Sequence, residues 1–157
     1  MLLWRLVPER WADTAFTGEG ARLYGGRWNS AGTPLVYLSS ALSLAALEVL
    51  VHADVEDLPS RFAACSVEVP AAVAGAIETV DPETLSKDWR AVSAPPELRA
   101  FGNAWVREAR SALLAMPSVI IPEEQNFLLN PAHADFKKLE VRPSRAFFFD
   151  PRLYAAD

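Results

Sequence analysis

Residues 35–53 read LVYLSSALSLAALEVLVHA, and their interpretation decides the fold. LVYLSS (35–40) combines apolar, β-branched and aromatic residues, the composition of a strand. Ser39 or Ser40 is then placed to cap a helix running through ALSLAALEVLVHA (41–53). Between Ser43 and His52 every position except Glu48 is apolar, so no rotation gives this helix an ordinary solvated face, and burial on most sides is expected. A carboxylate carried into such surroundings loses hydration worth several kcal/mol unless a cation or hydrogen-bond donors replace the water. Glu48 therefore needs a partner, unless it sits at the helix edge; a buried ion pair that only fixes packing is the plainer alternative.

Working outward, LLWRLV (2–7) predicts a first strand stopped by Pro8, followed by a polar, Gly-containing stretch up to Asn29 outside regular structure. RFAACSVEV (61–69) alternates, with Phe62, Ala64 and Ser66 on one side and Ala63, Cys65, Val67 and Val69 on the other. This is a strand with Cys65 turned inward as core, not as a nucleophile. AIETV (76–80) is a short strand. DPETLSKDW (81–89) opens a helical turn with Asp81 as cap and Pro82 at the first helical position. A longer helix spans PELRAFGNAWVREARSALLA (96–115), where Leu98, Phe101, Trp105, Ala109 and Ala112 or Leu113 recur at helical spacing. SVII (118–121), KKLEV (137–141) and RAFFFD (145–150) are the remaining strands, with PEEQNFLLNPAHADF (122–136) as a loop or short helix. Strands outnumber helices and do not alternate with them regularly, so the expected class is α+β, a single domain with mixed or antiparallel sheets and flanking helices.

A chain of 157 residues buries most of its apolar surface around one core, so residues 1–157 are expected to form one domain. The net charge of -5 argues against a large phosphate-backbone footprint, hence no direct nucleic-acid contact. No run approaches the roughly 20 apolar residues of a membrane helix, and MLLWRLVPER is too short in apolar length for a secretory segment. With Cys65 as the one cysteine, a cytoplasmic protein without a membrane association is expected. His52 and His133 are isolated from any metal-ligand spacing, which gives metal or Ser-His-Asp chemistry little support. Glu123 and Glu124 are most simply a solvated surface.

The candidate cation for Glu48 lies in GGRWN (25–29). Gly25 and Gly26 allow close backbone approach or positive φ, and Arg27 presents a planar fork of donors suited to a carboxylate or a phosphate. On its own the segment reads more plainly as a tight turn with an exposed cation. GEGARLYGG (18–26) neither follows a clear strand nor opens a helix, so Walker and Rossmann patterns are set aside. Tyr37 could present an aromatic plane to a heterocycle, or simply pack. Ser118 could serve a ligand, or close a turn.

Taken in order, WRLV (4–7), GARLYGGRWNSAGTPLVYLSSALSLAALEVLVH (20–52) and PSVIIPEEQNFLLNPAHADF (117–136) resemble the RES-domain family, the toxin half of a class of bacterial toxin-antitoxin pairs. The arginine, glutamate and serine of the family name fall on Arg27, Glu48 and Ser118. The resemblance implies an ADP-ribosyltransferase-like fold and an enzyme that consumes NAD as substrate, with no further cofactor and no metal, by hydrolysis or phosphorolysis of the nicotinamide-ribose bond. It also implies that Arg5, Arg27 and Tyr37 belong to the NAD pocket, with Glu48 and Ser118 beside the scissile ribose. The implied partner is a cognate helix-turn-helix (Xre-type) antitoxin, with room for a homodimer within that complex. Two other readings stay open: transfer of ADP-ribose to a protein, and a module that binds a nucleotide or the antitoxin without turnover.

Overall fold

A computed structural model of the chain describes residues 1–58 and 60–154; Pro59 and the last three residues of the expected 1–157 unit lie outside the described residues. Seven strands, β1 (Leu2–Pro8), β2 (Val36–Ser39), β3 (Phe62–Glu68), β4 (Glu78–Thr79), β5 (Leu113–Pro117), β6 (Gln125–Leu129) and β7 (Glu140–Phe147), form one sheet in the order β4-β5-β6-β2-β1-β3-β7. Among the described residues only the β4–β5 pair is parallel. The helices are α1 (Glu19–Tyr24), α2 (Leu42–Leu50), α3 (Ala71–Ala74) and α4 (Pro96–Glu108). This is the expected α+β class.

Strand alternation sorts the core onto two faces. Leu3, Val7, Val36, Leu38, Ala63, Cys65, Val67, Leu113, Ala115, Phe127 and Leu129 form one cluster. Their neighbours along the strands form two clusters on the other face. Leu35, Leu114, Met116 and Leu128 pack with Leu98 and Trp105 of α4. Leu6, Phe62 and Ala64 pack with Ala45, and with Ala46 and Val49, of α2. A row crosses this second face through the register Met116, Asn126, Ser39, Trp4, Ser66. Its Met116 end is apolar core under α4, whereas Asn126, Ser39 and, at the far end, Ser66 are polar; Asn126 and Ser39 lie between α2 and α4.

Several expected elements are corrected. The stretch from Glu9 to Asn29 is not irregular: residues 9–14 form a 3-10 turn, and α1 spans six residues between Gly18 and Gly25, both at positive φ, too few for a periodicity to show. Neither Ser39 nor Ser40 caps α2; Ala41 stands at the N-cap without a side-chain bond, because Ser39 is buried in the sheet. Burial of α2 on most sides does not hold. Leu47 and Val51 are 37% and 56% exposed, since the helix packs mainly through Leu44 and Ala45. Helix α4 ends at Glu108, where Ala109 turns left-handed (φ 48), and SALLA feeds β5 instead. SVII is a turn closed by Ser118, while QNFLL, read as loop, is β6. KKLEV and RAFFFD meet in the single strand β7 through Glu140, Val141 and Arg145 to Phe147, with Lys137 and Lys138 left in a preceding 3-10 turn and Phe148 to Asp150 beyond the strand.

The turn carrying GGRWN is locked from both sides. Asn29, fully buried, donates to the carbonyls of Ala21, Ser30 and Thr33 and accepts from the Tyr37 hydroxyl at 2.7 Å. That hydroxyl accepts in turn from the Trp28 N–H at 3.0 Å. Gly26 is needed because a Cβ there would lie 2.5 Å from the Tyr37 oxygen. Gly102 lets α4 settle on the same turn, since a Cβ at 102 would collide with the Trp28 carbonyl.

Gly102→Ala is therefore expected to destabilise the chain by about 2 kcal/mol, roughly 4–8 °C in Tm, despite alanine's better helix propensity. An unchanged thermal melt would show that α4 does not rest on Trp28. Burial pushes the Tyr37 hydroxyl up to about 12, above its ordinary value of 10.0. Native Tyr37 thus holds its proton where the unfolded chain has lost it; this contribution is complete below about pH 10 and disappears as pH rises through about 12. Absorbance titration of the folded chain should find one of its three tyrosines ionising late, and Tyr37→Phe should remove that step.

Candidate functional site

Glu48 projects from α2 into the polar middle of the row. Its Oε1 accepts from the Ser118 hydroxyl at 3.0 Å and from the Asn126 side-chain amide. Ser118 is fully buried, and its Oγ accepts the N–H groups of Ile120 at 3.1 Å and Ile121 at 3.2 Å. Its single proton is therefore committed to Glu48. Asn126 is held in the same way, its Oδ1 accepting from the Ser39 hydroxyl at 2.7 Å. Oε2 of Glu48 has no hydrogen-bond partner among the described residues, and it is not one of the buried unpartnered atoms, so it keeps access to solvent. One oxygen is gripped from behind and the other is open.

Arg27 is not the partner of that carboxylate, which corrects the expected pairing. Its Nη1 and Nη2 donate to the carbonyls of Trp89 and Ala91, each at 2.9 Å, so segment 89–91 holds the guanidinium. Burial lowers its pKa, and the charges of Glu48 and Tyr37 partly offset this, which puts all three within electrostatic reach. Gly26 is fixed by Arg99, whose Nε donates to the Gly26 carbonyl at 3.1 Å. Tyr37 stands beside this turn with its hydroxyl engaged internally and its part-buried ring packed against the Trp28 and Leu128 cluster.

Arg5 lies opposite Cys65 in the β1–β3 register. Burial lowers its pKa, and Cys65 and Tyr37 counter the effect, so the guanidinium senses β3 on one side and β2 on the other. Its Nη1 is buried and has no hydrogen-bond partner among the described residues. Burial likewise pushes the Cys65 thiol up, in keeping with a core role. His52 is exposed, and His133 Nδ1 caps a turn by accepting from the Asp135 N–H. Among the described residues no group of three or more His, Cys, Asp or Glu is arranged to hold a metal ion. Two depressions, of about 690 and 340 Å³, are lined by other residues than Glu48, Arg27 and Ser118; the smaller adjoins the turn through Gly25, Gly26 and Asn29.

Sequence reasoning brought Arg27, Tyr37, Glu48 and Ser118 to one region but missed Asn126, Ser39 and Asn29, and the carbonyls of Trp89 and Ala91. The available signal was small. Asn126 lies in a segment taken as loop, and an amide there looks like ordinary turn chemistry. Carbonyl acceptors carry no residue signature at all.

Residues 2–150 match the RES domain family model. Among characterised proteins, the chain is 40% identical over 152 residues to the Prs ADP-ribosylating toxin of Sphingobium sp. (strain YBL2), covering 96% of this chain and 94% of that one. It is 39% identical over 157 residues to Toxin Res of Photorhabdus laumondii, covering 99% of both. The fold is similar to one in the crystal structure of the M. tuberculosis MbcT-MbcA toxin-antitoxin complex, with a TM-score of 0.73, 21% identity, and coverage of 98% of this chain and 86% of that chain. With Arg27, Glu48 and Ser118 at the seam between α2 and α4, and the match running along nearly its whole length, this chain belongs to the RES-domain family.

Proposed function

We propose that the chain is the toxin of a toxin-antitoxin pair and cleaves the nicotinamide-ribose bond of NAD, with water or phosphate taking the ADP-ribose. The observation that carries this reading is the half-gripped carboxylate: Glu48 Oε1 bonded to Ser118 and Asn126 with Oε2 open. As the C–N bond breaks, its electron pair goes to the ring nitrogen, and nicotinamide leaves as a neutral molecule that needs no general acid. The ribose C1′ becomes oxocarbenium-like, and a fixed carboxylate oxygen facing it stabilises the developing positive charge. The incoming water loses its proton to Glu48 or to solvent; phosphate attacks through an oxygen already ionised. Ser118, expected from the resemblance to lie beside the scissile ribose, is fully buried and acts in this reading as a support of Glu48.

The cations are suited to the pyrophosphate. Arg27 arrives preoriented by two carbonyls with further N–H donors left over, and Arg5 holds a buried donor without a partner, which is costly until an anion takes it. The Tyr37 ring can face the pyridinium. The similarity to proteins named Toxin Res, and in fold to a chain crystallised in a toxin-antitoxin complex, supports a cognate antitoxin, of the helix-turn-helix Xre type implied by the resemblance, that covers this site. One observation favours a second reading: the 40% identical relative is named an ADP-ribosylating toxin, so a protein side chain could replace water or phosphate as acceptor.

Purified chain incubated with NAD, with and without inorganic phosphate, is expected to release nicotinamide. Absence of release in both conditions, with ADP-ribosylated proteins detected by mass spectrometry of extracts, would replace this reading with the second. Glu48→Gln keeps an acceptor for Ser118 and Asn126 and so should fold, yet lower kcat at least about a hundredfold; wild-type turnover in that variant removes the assigned role. Arg27→Ala should raise KM for NAD about tenfold, the worth of one or two charge-assisted hydrogen bonds, with kcat changed much less. An unaltered KM counts against the phosphate contact.

A further inference from the structure

Beyond the arginine, glutamate and serine that name the family, one further chain of hydrogen bonds ends on Glu48. The Ser39 hydroxyl donates to Asn126 Oδ1 at 2.7 Å, and Asn126 Nδ2 donates to Glu48 Oε1. Ser39 and Asn126 are register partners on β2 and β6, so the sheet ladder itself fixes their spacing. Ser39 is buried, and it touches Asn126 rather than Glu48.

We infer that Asn126, oriented by Ser39, is a positioning residue for the reaction: it sets the rotation of the Glu48 carboxylate so that Oε2 faces the ribose. The inference rests on the NAD reading above. The direction of each bond supports it. An amide has an acceptor end and a donor end, and turning it over would set an oxygen against the Glu48 carboxylate and lose the bond from Ser39. With the amide so directed, Nδ2 aims at Oε1 alone. Ser118 reaches the same oxygen from the β5–β6 turn, its Oγ engaged by Ile120 and Ile121. A single donor leaves a carboxylate free to swing about the axis of that bond; two donors from separate elements remove the swing. Holding a reacting group to within a fraction of an ångström is the contribution expected of such a pair.

The test is an epistasis series, Asn126→Ala, Ser39→Ala and the double variant, with steady-state nicotinamide release and thermal melts. Asn126→Ala should lower kcat about a hundredfold with KM for NAD within about twofold. Ser39→Ala should lower kcat several-fold. The double variant should be no slower than Asn126→Ala, because Ser39 acts through Asn126. Additive losses, equal changes in KM and kcat, or wild-type kcat in Asn126→Ala overturn the inference. A crystal structure of Asn126→Ala separates it from the NAD reading: Glu48 should leave its observed rotamer or occupy more than one. If the wild-type chain releases no nicotinamide, the NAD reading fails, and an unmoved Glu48 in that structure overturns the positioning role as well.

Discussion

A carboxylate set on a part-buried patch of the sheet, beside an apolar core, is the constraint around which this structure is organised. Glu48 reaches the sheet on a helix whose packed residues are Leu44 and Ala45, and hydration lost there must be replaced. The replacement comes from two neutral donors, Ser118 and Asn126, 70 and 78 residues away along the chain. Neutral donors leave more negative charge on the group than a contact guanidinium would, which matters if the carboxylate is to act on a developing cation. Arg27 near by but tethered to carbonyls fits the same logic: it contributes field without closing an ion pair.

The donors arrive where they do because of the sheet. Register places Asn126 beside Ser39 on one flank and Met116 on the other, so the polar pair follows directly on the apolar core under α4. Helices α2 and α4 cover the two ends of that face and leave the middle between them. The GGRWN turn borders the same seam, braced by Asn29, Tyr37 and the close approach of Gly102 to Trp28. Rigid elements therefore carry Glu48 and Asn126, and a cross-braced turn carries Arg27, an arrangement that holds geometry better than free loops do.

Periodicity made β1, β2 and β3 legible, including the inward face of Cys65, because each strand alternates over a core that follows its pattern. Composition could not separate β6 from loop: NFLL is flanked by Glu123, Glu124 and Asn130-Pro131, and polar neighbours hid a strand whose Leu128 and Leu129 are fully buried. Helix α4 was overextended because the apolar residues after Ala109 continue a helical spacing, and a left-handed residue breaks it without a glycine to announce it. At the site, the charged and aromatic members stood out by type, whereas Asn126 and Ser39 matter only through register with one another. Pairing across strands distant in sequence is a property of topology that no local window contains.

The sheet is thinnest at the same place. β1 shares the full run from Leu2 to Pro8 with β3 but only the pair Trp4 and Ser39 with β2. A ladder that parts after one pair leaves backbone and side chains on either side free to diverge, and Arg5, which senses Cys65 across one strand and Tyr37 across the other, stands at that parting. A desolvated guanidinium donor without a partner destabilises the fold by itself. Such a group is tolerated where the surrounding ladder over-determines its position, and here β3 provides that hold through seven registered pairs. The same split that weakens pairing between β1 and β2 thus falls beside Arg5, whose Nη1 has no hydrogen-bond partner among the described residues, so the ladder to β3 alone fixes the strand that carries it.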